Sequence, residues 1–145
     1  MSEKRANKKL KENLVGLNRR LGRVENVVGD GWPDLNGCFD GVEFWIETKE
    51  PTEPKRPTTP LFGSNHKLSQ AQKNWIKSQL LVGGLAYVYI DTGKHRMLIS
   101  GSIADEINDM TVGELKLAAL WWTKVPMQNK NHWEGIADVI TSRKI

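Results

Sequence analysis

Residues 32–49 read WPDLNGCFDGVEFWIETK. The Asp40-Gly41 pair is a strong short hairpin signal, because both residues tolerate the positive φ that a tight turn needs. A short run at residues 32–37 precedes it. The run Val42–Lys49 follows, rich in branched and aromatic residues, and reads as a strand. A two-residue turn at Asp40-Gly41 sets the register. Phe39 then faces Val42, and Asp34 faces Glu47. Directly opposed residues share a face, with Cβ atoms about 5 Å apart. Strand alternation puts Lys49 on the same face as Glu47. One pleat therefore presents two carboxylates and one ammonium.

Two carboxylates this close resist joint ionisation unless a cation lies by them. Hard oxygen donors select Mg²⁺ or Mn²⁺, which keep several waters and take one or two protein carboxylates plus a substrate phosphate. An ion there would activate water and neutralise the charge growing on phosphorus. Lys49 would stabilise the pentavalent oxyanion. The expectation is Mg²⁺-dependent phosphodiester hydrolysis with Asp34, Glu47 and Lys49 as catalytic residues and Asp34 and Glu47 as metal ligands.

Working outward, residues 3–21 predict a helix, with Leu10, Leu14, Leu17 and Leu21 spaced along one stripe. Residues 23–28 predict a first strand. Residues 50–67 hold four prolines and predict a long loop, which in a compact domain is commonly functional. Ser69-x-x-Gln72 is a capping box that opens a second helix, ending at Gly83-Gly84. Trp75 on it reads as a core residue. Residues 85–90 form an apolar run that predicts a buried strand, and His95–Ser100 returns as another. Thr111-x-x-Glu114 opens a third helix, expected to reach about Trp122. The order is helix, three strands, helix, strand. It predicts an α/β protein with a mixed central sheet flanked by helices. Residues 1–145 are expected to form one domain, with a core over about 10–100 and a C-terminal helical addition over about 102–145.

Charge is uneven along the chain. Residues 1–23 carry eight basic side chains against two acids, whereas residues 24–54 carry eight acids against Lys49 alone. A basic arm suits DNA phosphates, so Lys8, Lys9, Lys11, Arg19 and Arg20 are candidate DNA contacts. His66 and Lys67 lie just before a helix N-terminus, where backbone N–H groups favour anions. Gln72 falls one turn into that helix and could hydrogen-bond Lys49 as well as serve the cap. The single cysteine, Cys38, excludes an intrachain disulfide and reads as a small buried residue. No run of about 18 apolar residues suggests a membrane span. No secretory signal is evident, so a cytoplasmic location is expected.

Trp32-Pro33-Asp34, Glu47-Thr48-Lys49 and Leu68-Ser69-x-x-Gln72-x-x-Trp75 together resemble the PD-(D/E)XK nuclease superfamily. Within it the pattern is similar to the virus-type replication–repair nucleases, the VRR-NUC group. Arg23-Val24-Glu25-Asn26 ahead of the Pro-Asp looks like the short stand-alone phage members. The resemblance implies a restriction-endonuclease-like core of α-β-β-β-α-β order and divalent-metal hydrolysis of DNA. It further implies a homodimer acting on branched DNA such as Holliday junctions, in a phage or prophage setting in a bacterial host. It also implies a further metal-supporting acid, for which Glu12 on the first helix and Glu25 are the candidates. The proline-rich loop departs from the pattern. Independently, Leu115, Leu117, Ala118, Leu120, Trp121 and Trp122 crowd the third helix; a second copy of the chain is the expected cover, the alternatives being that residues 123–145, with Trp133 and Ile136, fold back over it or that the proline-rich loop supplies the dimer contact. Two other classes remain open from sequence: a sequence-specific restriction-type endonuclease, and a non-catalytic DNA-binding module on the same fold.

Overall fold

A computed structural model describes residues 4–24, 30–63 and 66–145. Helix α1 spans Arg5–Leu14. Strands β1 (Arg19–Arg23), β2 (Leu35–Phe39) and β3 (Val42–Lys49) follow. Helix α2 (Gln70–Leu81) leads into β4 (Ala86–Asp91) and β5 (His95–Ser100). After two short 3₁₀ turns come α3 (Val112–Ala118), β6 (Trp121–Lys124) and α4 (Glu134–Thr141). Among the described residues the sheet has six strands in the order β1-β2-β3-β4-β5-β6. Of these, β3 and β4 pair in parallel, and α2 lies in the crossover between them. The fold is the expected mixed α/β sheet flanked by helices.

The hairpin register holds as the turn dictates. Phe39 pairs with Val42 and Leu35 with Ile46. Asp40 and Gly41 both take positive φ, at 50° and 83°. Alternation along β3 then sorts its two faces. Phe44 and Ile46 enter a core with Leu10 and Leu14 of α1 and with Ile136 and Ile140 of α4. Trp45 turns the other way and meets Trp75 of α2 and Trp32, with ring centroids 4.9 and 5.6 Å away. A second core fills that side with Ile76, Val88, Ile90 and Leu115. Gly31, at φ 92°, lies where a Cβ would come within 2.5 Å of the Ala71 backbone. That close approach brings the Trp32-Pro33-Asp34 segment against the start of α2.

Three local expectations are corrected. The first helix ends at Leu14, not at residue 21. Gly16, Leu17 and Asn18 form a turn, with Asn18 at φ 63° and Leu17 91% exposed. A helix cannot continue through such a left-handed residue, and Arg19–Arg23 becomes the first strand instead. β2 begins after Asp34, because Pro33 has no N–H for the ladder. Finally, the third helix stops at Ala118, and Trp121 and Trp122 belong to β6 on the edge of the sheet. Trp121 is buried beside Trp133, while Leu117 is 91% exposed. The aromatic run is thus split between strand and helix. The helix on which the dimer face was expected does not exist in that form, and residues 133–140 cover Trp121 from within the chain.

Candidate active site

The candidate site lies at the carboxyl end of β3, beside the parallel strand β4. In open α/β sheets, sites form outside the carboxyl ends of strands, where the chain leaves the ladder. Four elements meet there: the start of α1, the entry to β2, the end of β3 and the first turn of α2.

Asp34 stands one residue before β2. Its Oδ2 accepts from the Thr48 backbone N–H at 3.0 Å and lies 2.7 Å from the Thr48 hydroxyl. The same hydroxyl lies 2.7 Å from Asn7 Oδ1 on α1. The Lys4 ammonium donates to Asp34 Oδ2 at 2.8 Å and to the Thr48 carbonyl at 2.7 Å. Burial works to raise the Asp34 carboxyl. Lys4 and the Thr48 donors outweigh it, so the group is held below its ordinary value.

Glu47 is buried, with its side chain 3% exposed. Its Oε2 accepts from Gln72 Nε2 at 3.0 Å and lies 3.5 Å from Lys49 Nζ. Its Oε1 is buried with no hydrogen-bond partner among the described residues. Burial, and then the charge of Asp34, push the carboxyl up to about 7. Burial also lowers the Lys49 ammonium, against the pull of Glu47. Lys49 Nζ donates to Gln72 Oε1 at 3.2 Å and to the Lys67 carbonyl at 3.4 Å.

Gln72 is the hub. The capping box forms as the sequence predicts, with Ser69 Oγ accepting from the Gln72 N–H and Gln72 Oε1 accepting from the Ser69 N–H at 2.9 Å. The same amide then bridges Glu47 and Lys49. Its helix-capping role and its site role coexist in one side chain.

The donor set fits a small divalent cation. The Asp34 carboxylate, the Glu47 carboxylate and the Thr48 carbonyl are hard oxygens. The bare Glu47 Oε1 is a buried acceptor that a cation would satisfy. An ammonium already bridges two of the three groups. No three His, Cys, Asp or Glu side chains are placed to share one metal ion among the described residues. Glu12 therefore does not join Asp34 and Glu47. It is exposed and its carboxylate lies 3.9 Å from Lys9. The reason is helical geometry: Asn7 faces Thr48, and five residues further on is about 140° round the helix. Glu25 lies outside the described residues.

The expected DNA contacts divide. Lys8, Lys9 and Lys11 lie on α1, with Lys8 exposed. Arg20 is exposed on β1. Arg19 is occupied otherwise. Its guanidinium makes two 2.8 Å bonds to the Glu134 carboxylate and lies over the Phe39 ring. It ties β1 to α4. Lys67 is exposed and half-buried His66 precedes it, both just before the α2 cap. Lys4, Asn7 and Thr48 were not singled out from sequence. Asn7 had a signal, since it is a polar residue on the buried Leu10–Leu14 stripe. Cys38 is half-buried on β2 and has no part in the site.

No family model matches the chain, and no curated protein matches it. Among solved structures the chain is similar to that of Archaeoglobus fulgidus Hjc, a Holliday junction resolvase from an archaeal hyperthermophile. The two share 20% sequence identity at a TM-score of 0.55, over 79% of this chain and 90% of that one. At that identity the likeness is one of fold: a mixed sheet flanked by helices, shared with a nuclease.

Proposed function

We propose that the chain is a divalent-metal-dependent endonuclease, one domain over residues 1–145, that hydrolyses phosphodiester bonds in branched DNA such as four-way junctions. One observation carries the reading. Glu47, Lys49 and Gln72 converge at the end of β3 with a buried Glu47 oxygen that has no partner among the described residues, and Asp34 binds the intervening Thr48 N–H. The fold it shares with a Holliday junction resolvase supports the substrate class.

Asp34, Glu47 and the Thr48 carbonyl would hold Mg²⁺ or Mn²⁺, which supplies electrostatic stabilisation and water activation at the phosphate. The protein's own groups do the rest. Lys49, held by Gln72 and the Lys67 carbonyl, places a positive charge where the attacked phosphate gains negative charge. Gln72 fixes both Glu47 and Lys49, so neither loses orientation when substrate arrives. Lys8, Lys9 and Lys11 line a helix that offers cations to the flanking backbone. Cutting two opposed strands of a junction needs two such sites, so a symmetric homodimer is part of the proposal.

The test is cleavage of a panel comprising a four-way junction, a flap, a splayed arm and plain duplex, with Mg²⁺ and with EDTA. Metal-dependent cutting of the junction ahead of the duplex is expected. Cutting of plain duplex at a fixed sequence would favour a restriction-type enzyme. Binding with no cutting in any metal would leave a DNA-binding module.

A further inference from the structure

The Lys4 ammonium sits on two of the oxygens that a divalent ion would use. It lies 2.8 Å from Asp34 Oδ2 and 2.7 Å from the Thr48 carbonyl. We infer that Lys4 is an internal cation that fills the metal seat in the metal-free protein and must leave it when a divalent ion binds. This inference rests on the metal-dependent reading given above.

The surroundings suit a removable occupant. The Lys4 side chain is 41% exposed, so its head can swing into water without crossing the core. An ammonium on a four-carbon stem is compact, mobile and well hydrated once released. Other contacts hold α1 to the sheet. The Ala6 N–H is held by Glu50 Oε1 at 2.6 Å, and Asn7 Oδ1 lies 2.7 Å from the Thr48 hydroxyl. Ala6, Leu10 and Leu14 are buried against the sheet. Release of Lys4 therefore breaks one ion pair and one hydrogen bond while the helix stays docked.

The two occupants exclude each other electrostatically. A divalent ion on the same two oxygens would meet the ammonium at contact range, where like charges in a half-buried site repel strongly. Without metal, Lys4 offsets the repulsion between Asp34 and Glu47. With metal, that task passes to the ion. Lys4 thus sets the threshold of metal concentration at which the site fills, and it couples filling to a movement of its own side chain.

Calorimetric titration with Mn²⁺ tests this on the whole chain as wild type, K4M, K4R and D34N. Removing a partly exposed ion-pair competitor should tighten Mn²⁺ binding by K4M roughly fivefold. K4R keeps the charge and should stay near wild type. D34N should lose the binding. In parallel, the Lys4 ε-methylene NMR signal of wild type should move to the position of a free lysine as Mg²⁺ is added. Unchanged or weaker Mn²⁺ binding by a folded K4M overturns the inference, while D34-dependent binding by wild type would leave the metal reading intact. If K4M does not fold, a Lys4 signal that ignores Mg²⁺ overturns it instead. A wild-type chain that binds no divalent ion and cuts no DNA removes both readings.

Discussion

Gln72 donates its Nε2–H to the buried Glu47 Oε2 over 3.0 Å. That bond joins the first turn of α2 to the end of β3, and the same amide caps the helix. The two roles can be separated. S69A should remove the cap alone, costing about 1 kcal/mol of stability with little change in cleavage rate. Q72A should lose a similar stability and also roughly 10–100-fold in rate, because Glu47 and Lys49 are no longer held. Melting curves and single-turnover rates for both variants check this. Equal rates for the two would show that Gln72 serves the helix only.

Glu47 predicts a trade between stability and function. Its carboxyl is pushed up to about 7 by burial and by Asp34, against 4.5 for an ordinary glutamate. The folded, metal-free protein therefore holds this proton more tightly than the unfolded chain does. The Glu47 contribution to stability is fully present below about pH 4.5 and is lost progressively as pH rises through about 7. E47Q removes the penalty. Without metal it should exceed wild type at pH 8 by up to about 3 kcal/mol and match it near pH 4. Urea melts at the two pH values in EDTA decide, and an E47Q no more stable at pH 8 contradicts the burial argument.

Lys49 is expected to act on the transition state. K49A should lower the single-turnover rate by roughly 10²–10³-fold while DNA affinity stays near wild type. A loss confined to affinity would place Lys49 among the ordinary phosphate contacts.

The α1 lysines and Arg19 should respond differently. Charge reversal at Lys8, Lys9 and Lys11 should weaken DNA binding and flatten its dependence on salt, since fewer counterions are released. R19M should instead lower the melting temperature and leave the salt slope unchanged, because Arg19 is engaged by Glu134. A flattened slope in R19M would show that the ion pair opens on DNA.

Local chemistry explains what was legible in the sequence. The Asp40-Gly41 turn fixed the β2–β3 register, and register placed Asp34 and Glu47 at the same end of the hairpin. Ser69-x-x-Gln72 fixed the start of α2. Long-range contacts carried no such mark. Lys4 and Asp34 are separated by 30 residues and Asn7 and Thr48 by 41, and no periodicity links them. Periodicity also misled. Leu17 and Leu21 continued the leucine stripe of α1, but Gly16 and Asn18 turn the chain between helix and strand. Trp121-Trp122 extended an apolar helix pattern, although aromatic residues favour the pleated edge they occupy.

The most direct test of the nuclease reading is single-turnover cleavage of a labelled four-way junction in Mg²⁺ by wild type and D34N, with junction binding measured alongside. Wild type should cut and stop cutting in EDTA. D34N should bind the junction at least as tightly, since one negative charge near the phosphate is gone, and should not cut. Cleavage by D34N at the wild-type rate would contradict the assignment of this site.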